Sequence, residues 1–187
     1  MMKEYPRLET PRLRLRPFSL NDAREVRSMA GDRKVAETTL NIPHPYLDGM
    51  AEQWINRHRE NWEKGEQLTL AVERREDRRL LGAVGMVISP ANERAEMGYW
   101  IGVEFWRQGY CTEAAAELLR YGFEELQLNR IYAEHLGNNP ASGRVMQKIG
   151  MTREGLFRQH VKKWEHFVDI IRYAILREEY MERNQEE

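Results

Sequence analysis

Residues 12–16, Arg-Leu-Arg-Leu-Arg, alternate polar and apolar, the period of a strand with one face buried, and Pro17 ends the run. Ser19 and Asp22 have the spacing of a capping box, so a short helix is predicted to about Ala30. Pro43 and Pro45 break any helix in the following stretch. Asp48 suits an N-cap for the next helix, in which Ala51, Trp54, Ile55, His58 and Trp62 form one stripe and Gly65 is the stop. His58 on that stripe reads as a hydrogen-bonded packing residue. Residues 68–72 and 80–88 read as paired strands joined by the charged run 73–79. A strand over 95–101 and a helix from about Thr112 follow; Ala115, Leu118, Leu119, Gly122 and Leu126 face inward and Glu113, Glu117, Arg120 and Glu124 outward. Beyond it come a strand over 130–136, a helix from Asn139-Pro140 to Gly150, and strands over 151–158 and 167–176; from Arg177 a frayed helix or tail is predicted. With no repeat, low-complexity tract or linker, the pattern predicts one α/β domain over residues 1–187.

Between the strand at 95–101 and the helix after it lies a turn, Val103 to Cys111, with Gly109 near its end. A helix start leaves N–H groups without intrahelical partners and concentrates the positive end of the helix dipole. Gly109 lets the backbone approach a ligand, and the small Cys111 leaves room for phosphates. Strand, tight turn and helix N-terminus together predict a pyrophosphate site on the N–H groups of Gln108, Gly109, Tyr110, Cys111 and Thr112. The spacing matches neither the Gly-x-x-x-x-Gly-Lys loop nor Gly-x-Gly-x-x-Gly.

Charge narrows the classes of partner. Lys and Arg total 29 against 30 Asp and Glu, so no overall field favours nucleic acid or an acidic membrane. The start Met1-Met2-Lys3-Glu4-Tyr5-Pro6 lacks the apolar run of a leader, and no apolar stretch approaches the ~20 residues of a membrane span. One cysteine excludes an internal disulfide. The location predicted is cytoplasmic.

Three segments in order, Glu96-Met97-Gly98-Tyr99-Trp100-Ile101-Gly102, Trp106-Arg107-Gln108-Gly109-Tyr110-Cys111-Thr112-Glu113-Ala114, and Asn139-Pro140-Ala141-Ser142 through Met151, strongly resemble the GNAT superfamily of acyl-CoA N-acyltransferases. The likeness extends over nearly the whole chain and is greatest to the subgroup that acetylates N-terminal amines of ribosomal proteins. It implies a central mixed, mostly antiparallel sheet of six to seven strands with about four helices, splayed between the fourth and fifth strands. It implies acetyl-CoA as cosubstrate, no metal, an acceptor amine on a protein N-terminus or a small molecule, and possible homo-oligomers. Trp106 and Cys111 occupy the first and last positions of the family's Gln/Arg-x-x-Gly-x-Gly/Ala motif.

Acetyl transfer from a thioester to an amine needs a base for the amine, a donor for the carbonyl oxygen and a proton for the leaving thiolate. An α-amine is roughly a tenth free base at neutral pH, whereas a lysine amine is well under a thousandth, so a carboxylate acting through water suffices for the former. Glu96 is the predicted base; His160 and Asp169 are the runners-up, and pairing of Glu96 with an arginine is the structural alternative. The resemblance makes Ser142 the acid, although helix capping explains Ser142 and Asn139 equally well. It assigns coenzyme contacts to Ile101, Gly102, Val103, Asn139, Ser142 and Lys148 beside the 108–112 turn, Asn139 holding the pantetheine amides. His44, Tyr46, Trp54, Trp100, His160 and Asp169, with Glu96, are assigned to the acceptor. A backbone N–H near Ile101 or Gly102 is predicted to meet the carbonyl oxygen. Cys111 is read as a packing residue rather than an acyl carrier. Alternatives are a polyamine, amino-acid or antibiotic acetyltransferase, or a CoA-binding protein without turnover.

Overall fold

The computed structural model describes residues 4–185, so the start of the chain read for a leader, Met1 to Lys3, lies outside the described residues. The strands are β1 (Leu8–Glu9), β2 (Leu13–Arg16), β3 (Gln67–Arg74), β4 (Leu80–Ser89), β5 (Arg94–Ile101), β6 (Arg130–Leu136), β7 (Thr152–Lys163) and β8 (His166–Leu176). They form one sheet in the order β1-β2-β3-β4-β5-β6-β8-β7, antiparallel except where β5 runs parallel to β6. The α-helices are α1 (Ala23–Ala30), α2 (Arg33–Glu37), α3 (Met50–Glu63), α4 (Tyr110–Glu124), α5 (Pro140–Lys148) and α6 (Arg177–Gln185). The mixed, mostly antiparallel architecture is the one predicted. The eighth strand is β1, a two-residue stub against β2, too short to leave a period. The helices beyond the predicted four are the five-residue α2 and α6, which is a formed helix through Gln185.

The sheet keeps its two faces apart by alternation. Leu68, Leu70, Val84, Met86 and Met97 join the larger core with Ala114, Ala115, Leu118, Leu119 and Phe123 of α4. On the other side a smaller cluster gathers Ala23, Val26 and Ala30 of α1 with Ala51 and Ile55 of α3, and Trp54, Tyr46 and Trp100 pack against it. The predicted turn 73–79 is shorter: β3 runs on through Glu73 and Arg74, and Glu73 is buried, accepting from Arg14 and, at 2.6 Å, Arg16. Arg16 also forks onto Asp22 at 2.8 Å through both terminal nitrogens, while Asp22 completes the capping box with Ser19. Three expectations need correction. The cap of α3 is Gly49 at φ 82°, not Asp48, whose carboxylate pairs with Arg27 instead. The helix α4 begins at Tyr110, two residues before the predicted start, with Gly109 at φ 83° as its cap. His58 is buried, but neither ring nitrogen has a hydrogen-bond partner; it packs edge-on to Trp54 at 4.4 Å.

What positions the site is the end of pairing between β5 and β6. Their register runs from Arg94↔Arg130 to Met97↔Ala133 and stops. From Gly98 and Glu134 onward the strands separate. β5 keeps its bonds to β4 as far as Gly82↔Ile101, and β6 keeps its bonds to β8 as far as Leu136↔Ile170.

Candidate active site

The opening begins at Gly98, two residues past Glu96. Glu96 is exposed, and its Oε2 accepts from the Tyr132 hydroxyl at 3.1 Å. That tyrosine is its register partner across the parallel pair, so the recorded contact is a phenol and not the arginine of the alternative reading. Burial first, then the Glu96 charge, hold the Tyr132 hydroxyl above its ordinary value, which keeps it a donor. Glu96, Gly98 and Trp100 share one face of β5; a side chain built on Gly98 would meet nothing within 4 Å, so the strand is open there. Trp100 faces Trp54 at 6.5 Å, and Phe18 lies 5.0 Å from Trp54, forming an aromatic wall on this face.

On the opposite face Tyr99 reaches across the opening to α5. Its hydroxyl lies 3.0 Å from Ser142 Oγ and donates to the Ser142 carbonyl at 3.1 Å. Ser142 N–H bonds to the Asn139 side-chain oxygen at 3.2 Å, and the Asn139 amide donates to Thr38 O at 3.1 Å. Asn139 is thus the N-cap of α5, and both ends of its side chain are engaged. Cys111 is half-buried; burial pushes its thiol up to about 12, which leaves it protonated at neutral pH.

Gly102 N–H donates to Leu81 O at 2.9 Å and is engaged with β4. Antiparallel alternation then directs the N–H of Ile101 away from β4, towards the side that β6 has left. Of the two predicted donors, Ile101 is the one aimed at the opening. Trp106 donates its indole N–H to Ile101 O at 2.7 Å, and the Gln108 amide donates to Glu104 O at 2.9 Å, so the turn from β5 into α4 is tied at both ends. Gly109 then adopts a left-handed conformation at the head of α4. Arg12 stands beside it: Nη1 donates to Gln108 O at 3.0 Å, Nε to Glu113 at 2.6 Å, and the guanidinium covers the Tyr110 ring at 4.6 Å. Thr10 and Arg12 also overcome the desolvation of Glu113 and hold its carboxyl below the usual range.

The other predicted residues are dispersed. Val103 begins a short 3-10 turn, and Lys148 is exposed in the last turn of α5, at the far end from Ser142. Asp169 accepts from Gln159 N–H at 2.7 Å, where β7 is irregular and Gln159 has φ 49°. His160 is exposed beside Phe157, ring centres 5.3 Å apart. His44 lies 6.2 Å from the Trp164 ring and, with Tyr46, lines an open depression of about 530 Å³ against Arg24, Arg27 and Asp32. This hollow includes no residue of β5 or β6. The segment 37–42 is tied down over a long sequence separation: Asn138 donates to Glu37 O at 3.3 Å, and the buried Lys163 amine to Leu40 O and Ile42 O at 3.1 and 3.2 Å. Sequence reasoning missed Arg12 and Tyr99. Arg12 left no signal beyond strand alternation, while Tyr99 could have been noted as a hydroxyl on the face opposite Glu96.

A gap between two strands, a free strand N–H along it and a cationic helix start at its end suit a long ligand with a carbonyl at one end and phosphates at the other. These are the elements of an acyl-CoA transferase. Residues 12–152 match the family model described as acetyltransferase (GNAT) domain, and the chain belongs to that family of N-acetyltransferases, whose cosubstrate is acetyl-CoA. The N-acetyltransferase YnaD of Bacillus subtilis is 33% identical over 175 residues, 92% of this chain and 98% of the relative. A GNAT-family acetyltransferase structure from Bacillus anthracis aligns with TM-score 0.83 at 27% identity, covering 92% of this chain and 99% of that one. Other relatives carry an acceptor in their names. The ribosomal-protein-serine acetyltransferase of Escherichia coli is 29% identical over 87 residues, 46% of this chain and 49% of the relative. Spermidine N-acetyltransferase from Vibrio cholerae, solved with CoA and spermine, shares the fold at TM-score 0.79 and 21% identity, covering 92% and 99%. No helix among the described residues is long and apolar enough to cross a membrane, and no cluster of three or more His, Cys, Asp or Glu there could hold a metal.

Proposed function

We propose that this N-acetyltransferase acts on the N-terminal α-amine of a protein or peptide. The observation that carries the reading is the open, charge-balanced depression around His44 and Tyr46. The depression holding His44 and Tyr46 is bordered by Arg24 and by Arg27, which pairs with Asp48, and Asp32 in its lining accepts from the Lys34 N–H at 2.8 Å. Such a rim is not the closed acidic cup that suits a polyamine, and an open depression suits a peptide. The relative that acetylates a ribosomal protein points the same way.

Acetyl-CoA supplies the thioester. The residues of this chain divide the work between the two faces of the sheet. Glu96, on the face with Trp54 and Trp100, takes the amine proton through water, and an α-amine, already partly free base at neutral pH, asks for no stronger base than a carboxylate. The Ile101 N–H stabilises charge on the carbonyl oxygen. Ser142, on the other face, gives a proton to the departing sulfur. Base and acid on opposite faces let the amine enter and the thiol leave from opposite sides of one carbon. The backbone from Gln108 to Thr112, with Arg12 beside it, holds the pyrophosphate.

A panel of acidic and neutral peptides, spermidine, amino acids and aminoglycosides, read by free-thiol release from acetyl-CoA, tests the acceptor class. Peptides are expected to turn over fastest. Faster turnover of spermidine than of any peptide overturns the reading.

A further inference from the structure

The hydroxyls of Tyr99 and Ser142 bridge the two arms of the opening, one from β5 and one from the first turn of α5, 3.0 Å apart. The pair holds two protons and has a choice of acceptors. If Tyr99 donates to the Ser142 carbonyl, 3.1 Å away, the Ser142 proton is drawn to the Tyr99 oxygen and both protons are spent within the pair. If Tyr99 donates to Ser142 Oγ, the Ser142 proton is released to point elsewhere. An arriving negative sulfur favours the second setting, because a hydrogen bond to a charged acceptor is about twice as strong as one to a neutral oxygen.

We propose that Tyr99 is a positioning residue for the reaction: its hydroxyl proton, given to Ser142 Oγ, frees and aims the Ser142 proton at the leaving thiolate. The proposal rests on the reading of Ser142 as the acid. As the C–S bond breaks, its electron pair goes to sulfur and the Ser142 proton follows; the Tyr99 O–H holds the charge left on Oγ. The proton that the amine gives to Glu96 passes to water, and water restores the one lost by Ser142, so the protons balance. Tyr99 is suited to donate at every working pH. Burial, and then the nearby Cys111 thiol, push its phenol above the ordinary value. The ring packs against the larger core, so Tyr99→Phe removes the hydroxyl and keeps the packing.

Two measurements test this. The first is the titration of the thiol of CoA bound to the enzyme, followed by thiolate ultraviolet absorbance. Tyr99→Phe and Ser142→Ala should each raise that thiol's pKa towards the value of free CoA. The second is turnover: Tyr99→Phe should lower kcat roughly tenfold, the worth of one oriented hydrogen bond, with the KM for acetyl-CoA within about twofold. The double variant should be no slower than Ser142→Ala alone, because Tyr99 acts only through Ser142. Multiplying losses in the double variant, or a Tyr99→Phe enzyme with unchanged titration and kcat, overturns the role of Tyr99 while leaving Ser142 as the acid. A Ser142→Ala enzyme unchanged in both measurements overturns the acid reading, and the positioning role falls with it.

Discussion

Glu96 is the residue on which proton removal rests, and its surroundings make the claim testable. It is exposed, two residues before β5 and β6 part, and held by a neutral phenol. Glu96→Gln keeps the bond from Tyr132 but accepts no proton. The loss should be large near neutral pH, roughly the 10²–10⁴ of a missing base, and should shrink as pH rises towards the pKa of the acceptor amine. A pH–rate profile of both proteins on one peptide decides it; an equal loss at every pH makes Glu96 an orienting group and moves the search to His160. Strand alternation alone separated Glu96 from Tyr99, so the two-faced layout was legible in the sequence. The Tyr99–Ser142 contact was not, since it joins residues 43 apart through a gap that exists only once β6 is in place. Asn139 and Asp169 show the converse limit. Asn139 was read both as a coenzyme contact and as a cap, and the fold engages it in capping α5; Asp169, read for the acceptor, accepts from the Gln159 N–H. Local chemistry names what a side chain can bind, and tertiary packing decides what it does bind.

At the scale of elements, the turn into α4 is a local device and was read correctly in kind. Its glycine has φ 83°, where any side chain is strained, and a Cβ there would also stand 3.2 Å from Arg12 Nη2. Gly109→Val should therefore twist the N–H groups away from the phosphates and press on the guanidinium that supports them. Acetyl-CoA affinity by calorimetry should fall roughly tenfold or more while circular dichroism is unchanged, since the helix beyond Tyr110 keeps its buried face. Undiminished affinity in the folded variant places the pyrophosphate elsewhere. The elements that escaped the periodicity were the short ones. Strand β1 has two residues and α2 five, below one or two periods of any pattern, and α2 is held by the cap from Asp32 rather than by an amphipathic stripe. The segment following α2 looks like free loop in sequence. Donors from β7 and from the turn before α5 hold its carbonyls, so the segment is tied to the rest of the fold.

Over the whole molecule, stability carries a pH dependence that His58 sets. Burial, and then the nearby Arg57 charge, push its pKa down to about 4, and both ring nitrogens lack partners among the described residues. The folded state therefore binds its proton less readily than the unfolded chain, whose histidine titrates near ~6.5. Stability is complete above that value and is lost as pH falls from there towards about 4. Linkage puts the loss between pH 7 and pH 5 at about 2 kcal/mol. Asp22 acts in a lower window. Its desolvation is outweighed by Arg16 and Ser19, so its carboxyl lies below the ordinary value, and its contribution disappears only as pH falls through the carboxylate range. His58→Leu keeps an apolar contact with Trp54 and Phe18 and removes two unpartnered polar atoms, so at pH 7 it should be at least as stable as wild type. Between pH 7 and pH 5 its urea midpoint should hold nearly constant while that of the wild type drops. Parallel decline of the two proteins over that range assigns the acid sensitivity to other groups and leaves His58 a silent packing residue.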